Sequence, residues 1–383
     1  MSPTATPKER GYLATARLYI ALELSRDRWQ LALGRGGEQV RRTWIAAGDS
    51  EGLVRELAKA KKQLDLPEDA EVLSCCEAGR DGFWVHRLLS SLGIENVVVD
   101  AASMRVPRRL RRVKTDRLDA DQLLVDLVRH HRGERDVWKV VRVPPPDAED
   151  LRRLPRELER LKKERRQHRS RLLSLFATVG VRVTPGSLNR ALENVGDLRA
   201  WDGGELMPCL RREIEREAER LALVRRQIRD LEAQESALAD SRKPSGQKVQ
   251  RLASLRGVGV DTACLLVFEL FGWRELRNRQ QVGAVAGLCG TPYNTGNSER
   301  EQGISKAGVA SVRTRMVELA WLWLRFQPDS SLSGWFNERY RKAGSRMRRV
   351  GIVALARKLL VQLWRYVEHG VVPPGAVLKS IES

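Results

Sequence analysis

Four carboxylates in the N-terminal part of the chain have the types and spacing of a divalent-metal site. Glu23 interrupts the apolar run LYIALEL (residues 18–24), and Glu77 closes the run EVLSCCE (residues 71–77). Asp116 and Asp119 are three residues apart, so on a helix they share one face. Carboxylate oxygens converging from rigid elements hold Mg²⁺, or Mn²⁺ as the alternative. Two such ions about 3.5–4 Å apart clamp the attacking and leaving oxygens of a phosphodiester. Glu23 is the informative member, because an ionised carboxylate in an apolar strand is costly unless it meets water or a cation. One such acid alone reads more readily as a solvated strand residue; four in this order favour metal. Just upstream of Asp116, Arg105, Arg108, Arg109, Arg111, Arg112 and Lys114 put six cations into ten residues. Such a run is ordinarily a solvated surface. Beside an acidic site it also suits tracking of a phosphate backbone.

The elements that must carry these acids follow from the hydrophobic pattern. Residues 18–24, 29–33 and 40–45 read as three strands separated by Ser-Arg-Asp and Gly-Arg-Gly-Gly turns. Ser50 is positioned to cap a helix over 51–64, with Leu53, Val54, Leu57 and Leu64 on one face. A strand over 71–77, a helix over 82–92, a strand over 96–100 and a helix over 116–130 complete the series. Three strands followed by alternating helices and strands is the order of ribonuclease-H-like nuclease domains. Pro144-Pro145-Pro146 breaks it. From 149 to about 176, and again from 210 to 238, leucines recur at helical spacing in a charged background. This predicts two long helices joined by a loop, as an antiparallel or intermolecular coiled coil, whose usual role is packing or dimerisation. Residues 241–247 (SRKPSGQ) open a last, mainly helical segment. There Gly257-Val258-Gly259 fits either a phosphate-binding helix-hairpin-helix or an ordinary turn between packed helices. The predicted organisation is a tail (1–15), an α/β metal domain (16–143), a coiled-coil arm with a loop (144–247) and a helical C-terminal domain (248–383).

Composition narrows the partner. Lys and Arg number 69 against 49 Asp and Glu, a formal charge of +20 over 383 residues. Self-repulsion on that scale points to a polyanion. Nucleic acid fits better than a membrane surface, since no basic amphipathic helix, lipidation signal, secretory leader or bilayer-length apolar stretch is evident. Cys75, Cys76, Cys209, Cys264 and Cys289 form no CxxC pair and read mostly as buried thiols in a reducing cytoplasm. The five histidines lack ligand spacing. Trp321, Trp323, Trp335 and Trp364 suit core or interface packing better than base stacking.

At EAGRDG (77–82) and KTDRLDA (114–120) the sequence resembles the DEDD-type, Piv-like transposases of insertion-sequence family one-ten, subgroup eleven-eleven, which are bridge-RNA-guided recombinases. The stretches GLCGTPYNTGNSEREQGISKAG (287–308) and RRVGIVALARKLLVQLWRY (348–366) are similar to the family's C-terminal signature, so the resemblance spans nearly the whole chain. It implies a RuvC-like (ribonuclease-H-fold) domain whose Glu23, Glu77, Asp116 and Asp119 hold Mg²⁺, a coiled coil, and a C-terminal transposase domain. It also implies a hydroxyl nucleophile in that last domain, a covalent protein–DNA intermediate and a noncoding bridge RNA that selects donor and target DNA. Homodimers or tetramers of a bacterial, nucleoid-associated enzyme are expected with it. Two positions depart from the pattern. Glu23 stands where Asp is usual, and Thr295, before Gly296, stands where the family has the serine of a Ser-Gly pair. Threonine carries the same hydroxyl with a stiffer χ1. Ser298 is a fallback if the loop shifts, and Lys306 suits phosphate binding. The expected function is a DNA transposase or recombinase. Its rivals are a RuvC-type nuclease using water and a decayed transposase that only binds nucleic acid.

Overall fold

The computed structural model describes residues 16–37, 39–104, 116–134, 136–295 and 298–379, with backbone alone for 102, 116–119, 291–295 and 298–302. Two compact units are resolved, Met1–Pro144 and Pro145–Ser383.

The first unit is a mixed five-stranded sheet. Strands β1 (Arg17–Leu24), β2 (Arg28–Gly34) and β3 (Val40–Ala46) form an antiparallel meander. Helix α1 (Ser50–Gln63) then returns the chain to β4 (Glu71–Glu77), parallel to β1, and α2 (Gly82–Ser91) returns it to β5 (Glu95–Val99), parallel to β4. The sheet order is β3-β2-β1-β4-β5. The β1 side chains alternate between two cores. Leu18, Ile20 and Leu22 pack with Leu53 and Leu57 of α1 and with Val85 and Leu89 of α2. Tyr19 and Ala21 face the other way, against Ala120, Leu123, Leu124 and Leu127 of α3 (Asp116–His131). Because both faces are covered, β1 reads as a continuous apolar run. The cap of α1 is Asp49, whose side chain accepts from the Gly52 N–H at 2.7 Å, and not Ser50, which is the first helical residue. The acid three residues before Gly52 outcompetes the serine because its side chain reaches that orphan N–H from a non-helical backbone.

The second unit is helical apart from one hairpin. The run expected as a single helix from 149 is divided: α4 (Pro146–Leu151) and α5 (Arg153–Thr178) meet at Arg152. Helix α6 (Leu188–Glu193) lies in the loop before α7 (Pro208–Ala239). Helices α5 and α7 pair antiparallel within the chain. Leu158 and Leu161 meet Val224, Ile228 and Leu231, while Leu172 and Phe176 meet Ile214 and Leu221. Helices α8 (Pro244–Ala253), α9 (Val260–Leu266), α10 (Arg279–Val285), α11 (Ala310–Phe326), α12 (Ser331–Tyr340) and α13 (Ser345–His369) share one large apolar core. Trp323 and Trp364 are buried in it, whereas Trp321 is exposed. Strands β6 (Gly290–Thr295) and β7 (Ser298–Ile304) project between α10 and α11 as an antiparallel hairpin.

Candidate functional site

In the first unit, sheet register brings the two strand acids together. The last paired residues of β1 and β4 are Leu22 and Cys76, so Glu23 and Glu77 follow side by side on parallel neighbours about 4.8 Å apart. Tyr19 and Ala21, and Leu73 and Cys75, face α3. By the two-residue alternation of a strand, Glu23 and Glu77 fall on that same face. Both are partly exposed, as carboxylates at a strand end can be.

Helix α3 begins at the same end. Its C-terminal His131 bonds the Tyr19 hydroxyl (2.9 Å) and the Arg17 guanidinium at the start of β1, while the Leu123 carbonyl meets the Cys75 thiol at 3.6 Å. The helix therefore runs antiparallel to β1 and β4. From Leu123 back to Asp119 is about 6 Å of helix, and from Cys75 forward to Glu77 about 6.6 Å of strand. Asp119 is thus level with Glu77 along the sheet, and Asp116 lies a further turn out. Both are N-terminal to the buried row Ala120, Leu123 and Leu127. Among the described residues no three His, Cys, Asp or Glu side chains form a metal-binding group; the side chains at 116 and 119 are outside that description.

A third group belongs with these acids and is not evident in the sequence. Gln30 of β2 is paired directly with Glu23 and shares its face, since Ala32 two residues on packs against α3. It is 2% exposed, and its Oε1 is buried without a hydrogen-bond partner. An orphaned amide oxygen beside the Glu23 carboxylate, with Glu77 on the strand beyond, is the kind of hard oxygen donor that suits a divalent cation. The only signal in the sequence is one polar residue inside RWQLALG, and nothing local says that it faces Glu23. Beneath the acids, burial pushes the Cys76 thiol up to about 12 and the Cys75 thiol well above its usual value, so both are neutral filling. The backbone at Glu77 is equally constrained. Its carbonyl lies 2.3 Å from where a Cβ on Gly82 would stand, so α2 can start there only with glycine. Arg105, Arg108, Arg109, Arg111, Arg112 and Lys114 lie outside the described residues.

In the second unit, Thr295 and Ser298 are the paired residues that close the β6–β7 hairpin. Ser298, expected to substitute only after a loop shift, is the direct cross-strand neighbour of Thr295. The base of the hairpin is clamped to the end of α10. The Ser305 N–H donates to the Cys289 carbonyl (2.8 Å), and the Lys306 N–H to the Gly287 carbonyl (3.2 Å). Gly287 and Gly308 both have positive φ. Added Cβ atoms would stand 2.4 Å from the Ala307 carbonyl and 2.1 Å from the Val285 carbonyl, which accounts for glycine at both ends of the signature. Lys306 is itself left-handed (φ 57°) and its carbonyl accepts from Arg313 at 2.9 Å, so an exposed ammonium is carried on a fixed backbone. Gly257, also at positive φ, has Phe326 3.0 Å from the site of a Cβ. The Gly257–Gly259 turn is thus engaged in packing against α11.

A profile of the transposases described as the IS116/IS110/IS902 family matches residues 249–341, from α8 through the hairpin to α12. The protein y4rJ of Sinorhizobium fredii, whose name calls it a transposase, is 39% identical over 99% of this chain and 98% of its own length. The chain belongs to this transposase family. The transposases of insertion sequence IS1328 from Yersinia enterocolitica and IS1111A from Coxiella burnetii are more distant. The first is 30% identical over 44% of this chain and 49% of its own, the second 24% identical over 76% of each. Family membership makes this transposase a DNA-rearranging enzyme and DNA its substrate. No described helix is long and apolar enough to cross a membrane.

Proposed function

We propose that this transposase cuts and rejoins DNA through a covalent threonine–DNA intermediate, with Mg²⁺ held by Glu23, Glu77, Asp116 and Asp119. The observation that carries the proposal is the register of Glu23 beside Glu77 on parallel β1 and β4, at the end and on the face where α3 begins. The meander-then-crossover sheet order supports a RuvC-like reading of this unit. When bound, the metal neutralises charge on the scissile phosphate. The four acids would hold that cation, and Gln30 fills the cross-strand position beside Glu23. The Thr295 hydroxyl attacks phosphorus, losing its proton to solvent. A phosphothreonine ester forms, the bond to one deoxyribose oxygen breaks, and that oxygen leaves as a hydroxyl. Attack by the hydroxyl of a second strand on the ester reverses the step and frees Thr295. The bond count is conserved throughout, so strand exchange needs no external energy source.

Lys306 and the arginines of 105–114 are assigned to phosphate contacts. The resemblance of residues 77–82, 114–120 and 287–308 to the subgroup's signatures is what supports a noncoding bridge RNA as the source of DNA selectivity. Exchange between two duplexes requires more than one nucleophile, which supports a dimer or tetramer, with the α5–α7 coiled coil as the pairing arm.

The test is a denaturing gel of protein, Mg²⁺, labelled element-junction DNA and the transcript flanking the gene. A slow-migrating adduct is expected for wild type, absent from Thr295→Ala and Asp116→Ala, and stronger in Thr295→Ser. DNA cut without an adduct in any variant would instead mean a water-using nuclease. An adduct from Thr295→Ser alone would mean a binding protein that has lost its chemistry.

A further inference from the structure

The α5–α7 hairpin is held in register by polar rungs in which bases meet acids. Toward its root Lys162 pairs with Glu232 (3.4 Å) and Asp261 (3.2 Å). Toward its tip Glu217, 1% exposed, accepts from His168 (2.7 Å), Arg171 (2.8 Å) and Arg220 (2.9 Å). The stretch between the Lys162–Glu232 pair and the Arg171–Glu217 pair is different. Arg165 and Arg169 lie three and seven residues beyond Lys162 on α5; Arg229 and Arg225 lie three and seven before Glu232 on α7. Antiparallel register therefore brings four arginines together across the pair.

Their recorded partners are neutral. The Arg225 guanidinium donates to the Asn189 side-chain oxygen (2.9 Å), and Arg169 donates to the Pro185 carbonyl (3.2 Å). The Arg165 Nε is buried with no partner at all. Burial, followed by the charges of Arg169, Arg165 and Arg229, holds the Arg225 guanidinium below its ordinary value. Among the described residues no carboxylate pairs with any of the four. Arg165, Arg169 and Arg225 are half-buried and Arg229 is exposed; like charges held this close repel, and a buried N–H without an acceptor is destabilising. The Lys162 and Glu217 rungs meet their cations with carboxylates, whereas the middle rung leaves its guanidinium groups open to an anion from outside. Guanidinium forks match phosphate oxygens two at a time.

We propose that Arg165, Arg169, Arg225 and Arg229 form a phosphodiester-binding site midway along the α5–α7 hairpin, occupied by the backbone of a DNA or RNA strand. The site rests on the reading of the chain as a nucleic-acid enzyme but uses neither the metal acids nor Thr295. Its test is therefore binding without metal.

Full-length protein in chelator is titrated against a labelled duplex DNA and a labelled single-stranded RNA of unrelated sequence, across a salt series. The variants are Arg165→Gln/Arg229→Gln, Arg169→Gln/Arg225→Gln and the quadruple combination. The control, Arg166→Gln/Arg226→Gln, removes the same charge from exposed positions one residue along. The quadruple variant is expected to lower the salt slope for duplex DNA by about 3 and weaken binding on the order of 100-fold, each double variant by about half that slope. Losses confined to the RNA or to the DNA arm assign the strand. Relief of repulsion keeps the variants' Tm at or above wild type. If the quadruple fails to fold, the doubles carry the test, together with Arg225→Lys, which keeps its charge and should keep the slope. An unchanged slope in the doubles, or an equal loss in the control, overturns the site.

Discussion

Gln30 carries the sharpest residue-scale consequence of the fold. Its Oε1 has no partner, although it is all but enclosed beside Glu23. A core amide in that state should be a stability defect, so replacing it with leucine should leave Tm unchanged or raise it. Outer ligands and their supports tune metal affinity by about 10–100-fold. Gln30→Leu is therefore expected to raise the Mg²⁺ midpoint for DNA cleavage about 10-fold with no loss of fold, read by a Mg²⁺ titration beside a thermal melt. An unmoved midpoint would remove Gln30 from the site. Thr295 poses the complementary question. Its β-methyl limits χ1, and the backbone pairs it with Ser298 on β7.

At the scale of elements, glycines decide where the functional loops can run. Helix α2 starts against the Glu77 carbonyl because Gly82 has no side chain. Gly82→Ala should cost about 1–3 kcal/mol, the usual penalty of overpacking. It should also displace Glu77, cutting cleavage more than DNA binding. Chemical denaturation and a cleavage-to-binding ratio read the two effects separately, and a variant that lost stability while keeping full cleavage would detach Gly82 from the site. The hairpin bearing Thr295 is anchored in the same manner by Gly287 and Gly308. These three positions fall within the quoted signatures, and in each the reason is a backbone contact at close range.

At the scale of the second unit as a whole, buried charge ties the hairpin to the helical core. Asp261 at the start of α9 takes Arg315 (2.7 Å) and Lys162 (3.2 Å), and these cations hold its carboxyl down at about 2 despite burial. Arg315 also bonds Glu159 of α5. Next to them Glu235 of α7 is 1% exposed, with one oxygen unpartnered. Burial, with Asp261 adding to it, pushes its carboxyl up to about 8. The two acids have opposite signs. A folded-state value raised above the unfolded one stabilises at low pH and is lost as pH climbs toward about 8; a depressed one is lost in acid. Glu235→Gln should therefore gain on wild type by up to about 1.4 kcal/mol for each pH unit between about 5 and 8. Melts of both proteins across that window check it, and a constant gap would mean that Glu235 is ionised throughout.

Strands and helices were legible in the sequence because period-two and period-3.6 apolar patterns follow from backbone geometry alone. All five strands of the first unit overlap the runs read for them, and the two long helices of the second unit are there with their leucine rows buried. The strand acids stood out as candidates in the same way, since a charge in an apolar strand such as LYIALEL is conspicuous without any partner in view. Family membership was readable from the signatures in 77–82, 114–120 and 287–308. Tertiary structure decided what depends on register between distant segments. The pairing of Gln30 with Glu23, the cross-strand position of Ser298 and the capping of α1 by Asp49 each needed the folded backbone. So did the four arginines: they are some sixty residues apart along the chain, and in sequence they look like any charged helix face. Local pattern reports burial one residue at a time, whereas a site is a set of neighbours that only packing brings together.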